Sequence, residues 1–490
     1  MRETFRGRKA TEVSSGIDLA PFNEMRPRFR EHPGAFVLGL FGEVRPGEAA
    51  TALLLAANIF LILMSYYLVK VAREPLILLG GGAEVKSYSA AAQAILLIFV
   101  TTGYARLSEH VSRIKLIGSV TAFFAVNLLV FWLLGRAGVA IGVPFFLWAG
   151  IFNIVTVAQF WAFAADIYNE EQGKRLFPII GIGGSLGAIS GATVAGPIVS
   201  RAAELTLMLV AAGVLLASFA LAIAVHVREG KRVASAYGAN HEAPVPKGNA
   251  FALVARDRYL LLLAALIFLL NIVTKTGDYV LDRMLIARAH AQHVVAAGTY
   301  IGEFKAHYFE WINMLGVVLQ TLFVSRIIKH VGLRAALVAV PLVSLTGYGT
   351  ALVMPVLGVL YVTRIAESAL DYSLSNTVRQ ALWLVTSREA KYKGKQVVDT
   401  FVWRAGDVLS ATFVWIGAQL AAGPRAFIML NVACSAAWVA IALFAGRAYL
   451  RRARELATAR SLHAEPSSPA GGLAAGERHM LRHRRTLAHG

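Results

Sequence analysis

The sequence predicts an all-α membrane protein, with twelve transmembrane helices arranged as two pseudo-symmetric six-helix bundles, and three observations carry that expectation. Hydrophobic residues make up 57% of the 490-residue chain and charged residues only 16%, against about a quarter charged in soluble domains. Apolar runs of roughly 20 residues, each long enough to cross about 30 Å of hydrocarbon as a helix, recur from Ala49 to Arg447. Short polar motifs between these runs recur once, at corresponding places in the two halves of the chain. The net charge of +19 does not point to nucleic acid, because the Lys and Arg residues sit in short stretches between apolar runs and build no basic face with interleaved aromatics. The single cysteine, Cys434, lies inside an apolar run and can form no internal disulfide.

Taken in order, residues 1–48 are polar and hold no apolar stretch of signal-peptide length, so insertion is expected to begin with the first span and these residues to form a cytoplasmic N-terminal segment. Spans are expected at about 49–71, 85–104, 114–135, 142–166, 177–200, 204–226, 258–281, 306–325, 333–354, 357–385, 397–421 and 425–447. Cytoplasmic loops retain Lys and Arg. Arg106, Arg113 and Lys115 follow the second span, Lys174 and Arg175 the fourth, Arg326, Lys329 and Arg334 the eighth, and Arg388 to Lys395 the tenth, while the alternate loops hold far fewer. This bias and the even number of spans place both termini in the cytoplasm, with the chain in the cell inner membrane. The bundles are then 49–226 and 258–447. The polar stretch 227–257, with "ANHEAPVPKGNA", is read as an inter-bundle linker. Residues 448–490 are read as a basic, disordered cytoplasmic tail, either merely solvated or resting on anionic lipid.

The repeat is specific enough to suggest a duplication. "ARLSEHVSR" (Ala105 to Arg113) and "SRIIKHVGLR" (Ser325 to Arg334) both follow the second span of their half and match at Arg106/Arg326, His110/His330 and Val111/Val331; Gly173-Lys174 and Gly394-Lys395 give a second match at nearly the same offset. Parallel six-helix halves related by an axis along the membrane normal are the architecture of major facilitator transporters. The loop "ARLSEHVSRIKL" resembles that superfamily's signature between its second and third helices, which marks Arg106, Glu109 and Arg113 as candidate gate residues.

"GKRLFPIIGIGGSLGAISG" (Gly173 to Gly191) has the glycines of a phosphate-cradling loop, but no strand precedes it. Gly183, Gly187 and Gly191 are four apart, which on a helix makes a smooth stripe that another helix can approach closely, and a moving interface is the expected location. "FWAFAADIYNEEQGKRLFPIIGIGGSLGAISG" (Phe160 to Gly191), "KYKGKQVVDTFVWRAGDVLSA" (Lys391 to Ala411) and "SYYLVKVAREPLIL" (Ser65 to Leu78) resemble segments of the ATP/ADP translocase family, the nucleotide transporters of plastids and obligate intracellular bacteria. The resemblance implies a major facilitator fold and exchange or uptake of nucleotides.

Ionisable side chains in a bilayer are costly and are presumed to face a partner or a water-filled cavity. Lys70 and Arg73 lie at the end of the first span; Lys275 and Asp278 lie three apart in the seventh, where they can bind solute or neutralise each other. The tenth span carries Arg364, Glu367 and Asp371 at spacings of three and four, a stripe suited to coupling or to internal neutralisation. In the eleventh, Lys395, Asp399, Trp403 and Asp407 are each four apart, with Arg404 adjacent. Such a stripe can offer cations to phosphate oxygens and an aromatic face to a base. The expected solute-binding set is therefore Lys70, Arg73, Lys174, Arg175, Lys275, Lys395, Arg404, Trp403 and Gln159, with Asp278, Glu367, Asp371, Asp399 and Asp407 setting coupling or selectivity. Gln159 and Trp161 in the fourth span, with Gln380 and Trp383 in the tenth, can add amide and aromatic contacts to the site, core packing being the favoured role.

The function expected is secondary transport of nucleotides by alternating access in a monomer, with the bilayer and a small anionic solute as partners. A transporter of another organic anion, sugar or drug, and a non-transporting scaffold, remain as alternatives. No cofactor, metal or enzyme activity is expected, since no metal-ligand spacing such as HExxH or CxxC occurs.

Overall fold

The computed structural model of the chain describes residue 45 and residues 47–236, 250–291, 297–387 and 389–464. Among these, every regular element is helical. The helices are α1 Ala49–His110, α2 Arg113–Arg136, α3 Gly142–Ile167, α4 Glu170–Ala202, α5 Thr206–Ala236, α6 Ala250–Arg256, α7 Arg258–Ala291, α8 Ala297–Val318, α9 Val324–His330, α10 Leu333–Val353, α11 Leu357–Leu370, α12 Asn376–Leu382, α13 Trp403–Gln419 and α14 Pro424–Ala464.

Helix α1 is two helices. A straight 62-residue helix would run about 93 Å, three times the hydrocarbon thickness. Gly82 breaks it with φ 77°, a conformation glycine adopts without a Cβ penalty. The Lys86 ammonium lies 2.5 Å from Glu74 Oε2, a pair twelve residues apart that a straight helix would hold about 18 Å apart. The chain therefore reverses at Gly82, and α1 contains the first two predicted spans.

Nine helices among the described residues are long and apolar enough to cross a membrane, with α1 counted once. The predicted spans 357–385 and 397–421 are not among the nine: the first carries Arg364, Glu367, Asp371 and Arg379 and the second Asp399, Arg404 and Asp407, which lower their hydropathy, and π-helical turns lie within them at Asp371–Ser375 and Val397–Val402. The tail also differs from expectation. Helix α14 runs past Arg447 to Ala464, so the first part of the basic stretch is ordered helix, its Arg and Ala residues being good helix formers. The linker is helical at both ends; residues 237–249, most of the N-terminal segment, and the tail beyond 464 lie outside the described residues.

The chain divides into two compact units, one of Met1–Arg73, Val100–Ile141 and Trp148–His241, the other of Glu74–Phe99, Gly142–Leu147 and Glu242–Gly490. The division inside α1 falls beside Pro75, where the missing N–H interrupts the helix ladder. In the first unit, Leu55 and Ile59 of α1 pack with Phe160 and Phe163 of α3 and Leu176 and Ile180 of α4. Phe152 stacks on Trp148 at 5.4 Å with 8° between the rings. The glycine stripe of α4 lies directly on α1: a Cβ at Gly183, Gly187 or Gly191 would overlap backbone atoms of Ala56, Phe60 or Met64 respectively. The stripe is thus a close helix contact inside one unit rather than a moving interface. Gly187→Ala is expected to destabilise the protein by about 1–3 kcal/mol through overpacking, read as a lowered unfolding midpoint in detergent, whereas Gly213→Ala, which has open space, is expected to leave it unchanged.

In the second unit α7 is the central helix, buried along its length by Leu263, Leu270, Val273, Val280 and Leu285 and packed against α8, α11, α13 and α14.

Candidate functional site

The second unit holds a cavity of about 340 Å³ where two broken helices meet. The predicted tenth span begins as α11, loosens into the π-helical turn Asp371–Ser375 and resumes as α12. The predicted eleventh passes through π-helical turns at Ala390–Gly394 and Val397–Val402 before α13 begins. A π turn widens the helix by one residue and re-aims the side chains beyond it, and such turns gather at functional sites. Here they put Arg379, Gln380 and Trp383 opposite Asp399, Trp403 and Arg404 on the cavity wall. Its volume lies within the range of small-molecule sites.

The two arginines of this cavity each hold a carboxylate. Arg379 Nη1 lies 2.6 Å from Asp371 Oδ1, and its guanidinium lies 5.9 Å from the Trp403 ring centre. Arg404 lies 3.2 Å from Asp407, which Lys275 approaches at 3.6 Å. Lys395 donates to Gln380 at 2.6 Å. Of the charges that line the cavity itself, the two arginines Arg379 and Arg404 outnumber the one carboxylate, Asp399, by one formal positive charge.

Deeper in the same unit are two buried ionic networks. Lys305 contacts Asp282 and lies 3.5 Å from Glu74, while Lys86 lies 2.5 Å from Glu74 and 2.6 Å from Asp282, so two lysines and two carboxylates alternate in a neutral ring. Only Lys86 retains appreciable exposure, at 16%. The second network centres on Arg364, which is 1% exposed. Its guanidinium holds Asp278 Oδ1 at 2.8 Å and contacts Glu367, which also accepts from Ser344 at 2.8 Å and Tyr348 at 3.2 Å.

These contacts reassign several residues that spacing alone had grouped. Lys275 and Asp278 do not pair; Lys275 turns to Asp407 on α13 and Asp278 to Arg364 on α11. Glu367 and Asp371 do not share a site, since the π turn between α11 and α12 sends Asp371 to Arg379. The four-residue stripe of the eleventh span is broken in the same way: Asp399 and Trp403 line the cavity, whereas Asp407 is 4% exposed on the side of Lys275. Gln159 belongs to the first unit, where it lines a void of about 20 Å³, room for about one water. Lys70 and Arg73 also belong to the first unit, the Lys70 ammonium 4.8 Å from the Tyr67 ring centre.

Arg175 is clamped by Glu48 through two contacts of 3.1 and 3.2 Å. Burial opposes the charge on Glu48, yet Arg175, Gln172 and the Arg45 N–H together hold its carboxyl at about 2, below the usual carboxylate range. Of the predicted gate residues, Arg113 lies 2.7 Å from Asp166 and Arg106 is exposed. The side chains of Glu109 and Lys174 lie outside the described residues. Lys305 is not legible in the sequence because it lies just before the apolar run that begins at 306, whereas α8 begins at Ala297. Sequence reasoning missed Arg379 although an arginine two turns beyond Asp371 inside an apolar run was signal enough.

Among the described residues no three His, Cys, Asp or Glu side chains converge to hold a metal ion. No protein-family model and no curated protein matches the sequence. Among solved structures, the chain is similar to a bacterial homologue of the iron transporter ferroportin in its inward-facing state, with a TM-score of 0.57 at 12% identity over 81% of this chain and 98% of that one. It is also similar to a bacterial homologue of the human lysosomal transporter Spinster in an inward-facing, unoccupied conformation, with a TM-score of 0.55 at 14% identity over 84% of this chain and 99% of that one. At such identities the likeness is one of fold. The chain is a multi-pass membrane protein, helical in every regular element among the described residues, with the major facilitator type of fold.

Proposed function

We propose that the protein is a secondary transporter that carries a small organic anion by alternating access, with the cavity between α12 and the start of α13 as its solute site. The observation that carries this reading is the cavity's composition: two arginines and two tryptophans on π-interrupted helices, with a surplus of one formal positive charge. Arg379, Arg404 and Lys395 would meet the anionic group, and Trp403 a planar or apolar part. Glu367 and Asp371 are the proposed coupling residues, each already held by an arginine that a proton or solute could release. The orientation proposed is both termini cytoplasmic in an inner membrane, from the Lys and Arg bias of the loops.

Two cargo readings compete within this proposal. A surplus of one charge favours a monoanion, because a nucleoside triphosphate brings several negative charges that paired cations do not balance. The resemblance to ATP/ADP translocases favours a nucleotide, and Asp399, Trp403 and Arg404 all lie in one of the resembling segments. Uptake into proteoliposomes of labelled ATP, ADP, a nucleoside monophosphate and simple organic acids separates them. Folded protein that moves neither ATP nor ADP removes the nucleotide reading, and folded protein that moves none of these anions removes the anion-transporter reading. For whichever solute is carried, Trp403→Ala is expected to raise the half-saturation concentration about tenfold, equivalent to about 1.4 kcal/mol of lost aromatic contact.

A further inference from the structure

Helix α14 is longer than a membrane crossing requires. At 1.5 Å per residue its 41 residues extend about 62 Å, twice the thickness of the hydrocarbon. From Ala426 to Gly446 it carries no charged side chain; then Arg447, Arg451, Arg452 and Arg454 follow within two turns. The first arginine therefore marks the level at which the helix leaves hydrocarbon for the headgroups.

Three of these arginines share a face. Arg447, Arg451 and Arg454 stand at i, i+4 and i+7. Arg334, in the first turn of α10, joins them from the neighbouring helix, and the four line an open groove of about 800 Å³ with Leu450 and Glu455. Gly446 makes that convergence possible, because a Cβ there would come within 2.8 Å of Arg334 Cγ. The groove also opens beside the first turn of α10, whose N-cap Gly332 offers no side chain to its N–H groups.

Arg452 supplies an internal comparison. It turns away, lies 2.7 Å from Asp257 and stacks 4.7 Å from the Tyr259 ring centre, so it is a structural arginine. None of the four groove arginines has a carboxylate partner among the described residues, and Glu455 is the one acidic side chain lining the groove. Four cations gathered around one carboxylate keep a surplus of three positive charges, repel one another and call for an anion. Exposed Phe444, which Arg447 covers at 5.9 Å from its ring centre, gives apolar surface on the membrane side of the charge, and Leu450 lies among the arginines.

We propose that this groove binds the phosphate headgroup of an anionic phospholipid, with the guanidinium groups on the phosphate and the acyl chains running toward Phe444. Arginine forks match phosphate oxygens, and basic pockets between helix ends suit acidic headgroups. The site is separate from the solute cavity and does not depend on the transport reading.

The test is native mass spectrometry and thermal unfolding of the purified full chain with added phosphatidylglycerol, phosphatidylcholine or inorganic phosphate. Phosphatidylglycerol is expected to remain bound and to raise the unfolding midpoint; phosphatidylcholine and millimolar phosphate are expected to do neither. Arg447→Gln with Arg451→Gln is expected to lower phosphatidylglycerol affinity at least tenfold, Arg452→Gln to leave that affinity unchanged, and Glu455→Gln to strengthen binding. All but Arg452 are solvent-facing positions at the groove, and the single exposed change Arg451→Glu gives the same direction of effect should the double variant fold poorly. Equal retention of the two lipids, or unaltered phosphatidylglycerol binding in folded groove variants, overturns the proposal. Saturation by free phosphate that blocks the lipid's effect also overturns it, by showing a site for a soluble anion instead.

Discussion

Lys305→Met is expected to cost about 3–5 kcal/mol of folding free energy, the range for breaking a buried ion pair by removing one partner. Lys305 is 2% exposed and sits between Asp282 and Glu74, each 1% exposed. Methionine keeps much of the stem but leaves two buried carboxylates with Lys86 alone. The ring also ties the turn at Gly82 to the core, since Glu74 and Lys86 come from the two arms of α1 and their partners from α7 and α8. Unfolding followed by circular dichroism in detergent reads the loss. Lys305→Met combined with Asp282→Asn should recover part of it, because the second change removes an orphaned charge. A single variant that unfolds with the wild-type protein would show that the ring adds nothing to stability.

On the proposed reading of the cavity as an anion site, Arg379→Gln is expected to reduce transport efficiency by ten- to a hundredfold, matching the loss of one charge-assisted hydrogen bond of about 1.5–3 kcal/mol. Arg379 is 20% exposed on the cavity wall, so folding should survive the change. Its guanidinium both holds Asp371 at 2.6 Å and faces the Trp403 ring, two roles that a planar fork performs and an ammonium does not. Arg379→Lys should accordingly fall between the wild type and the glutamine variant. Initial rates of uptake into proteoliposomes measure this, and wild-type rates in Arg379→Gln would remove the residue from the solute site.

Much of this architecture was legible in the residues. Apolar runs located the helices because hydrocarbon demands about 20 uncharged residues whatever their order, and the Gly183, Gly187 and Gly191 stripe announced a close helix contact because only glycine leaves that space. The cavity was largely legible: spacing points to Asp399, Trp403 and Arg404, and the polar and aromatic residues of the tenth span to Gln380 and Trp383, but not to Arg379.

Pairing was the part that spacing misread. Lys275 and Asp278 stand three apart, and local geometry joins them, yet each found a better partner across the bundle in Asp407 and Arg364. The stripe from Lys395 to Asp407 assumed 3.6 residues per turn throughout, and the π-helical turn at Val397–Val402 changed that period in its middle. Composition and periodicity by themselves determined that this chain is helical and lives in a membrane, since both follow from the free energy of moving each segment out of water. Which carboxylate neutralises which cation, and which cations are left over at Arg334, Arg447, Arg451 and Arg454, was decided only by tertiary packing, because ion pairing depends on distances of a few ångströms between helices far apart in the chain.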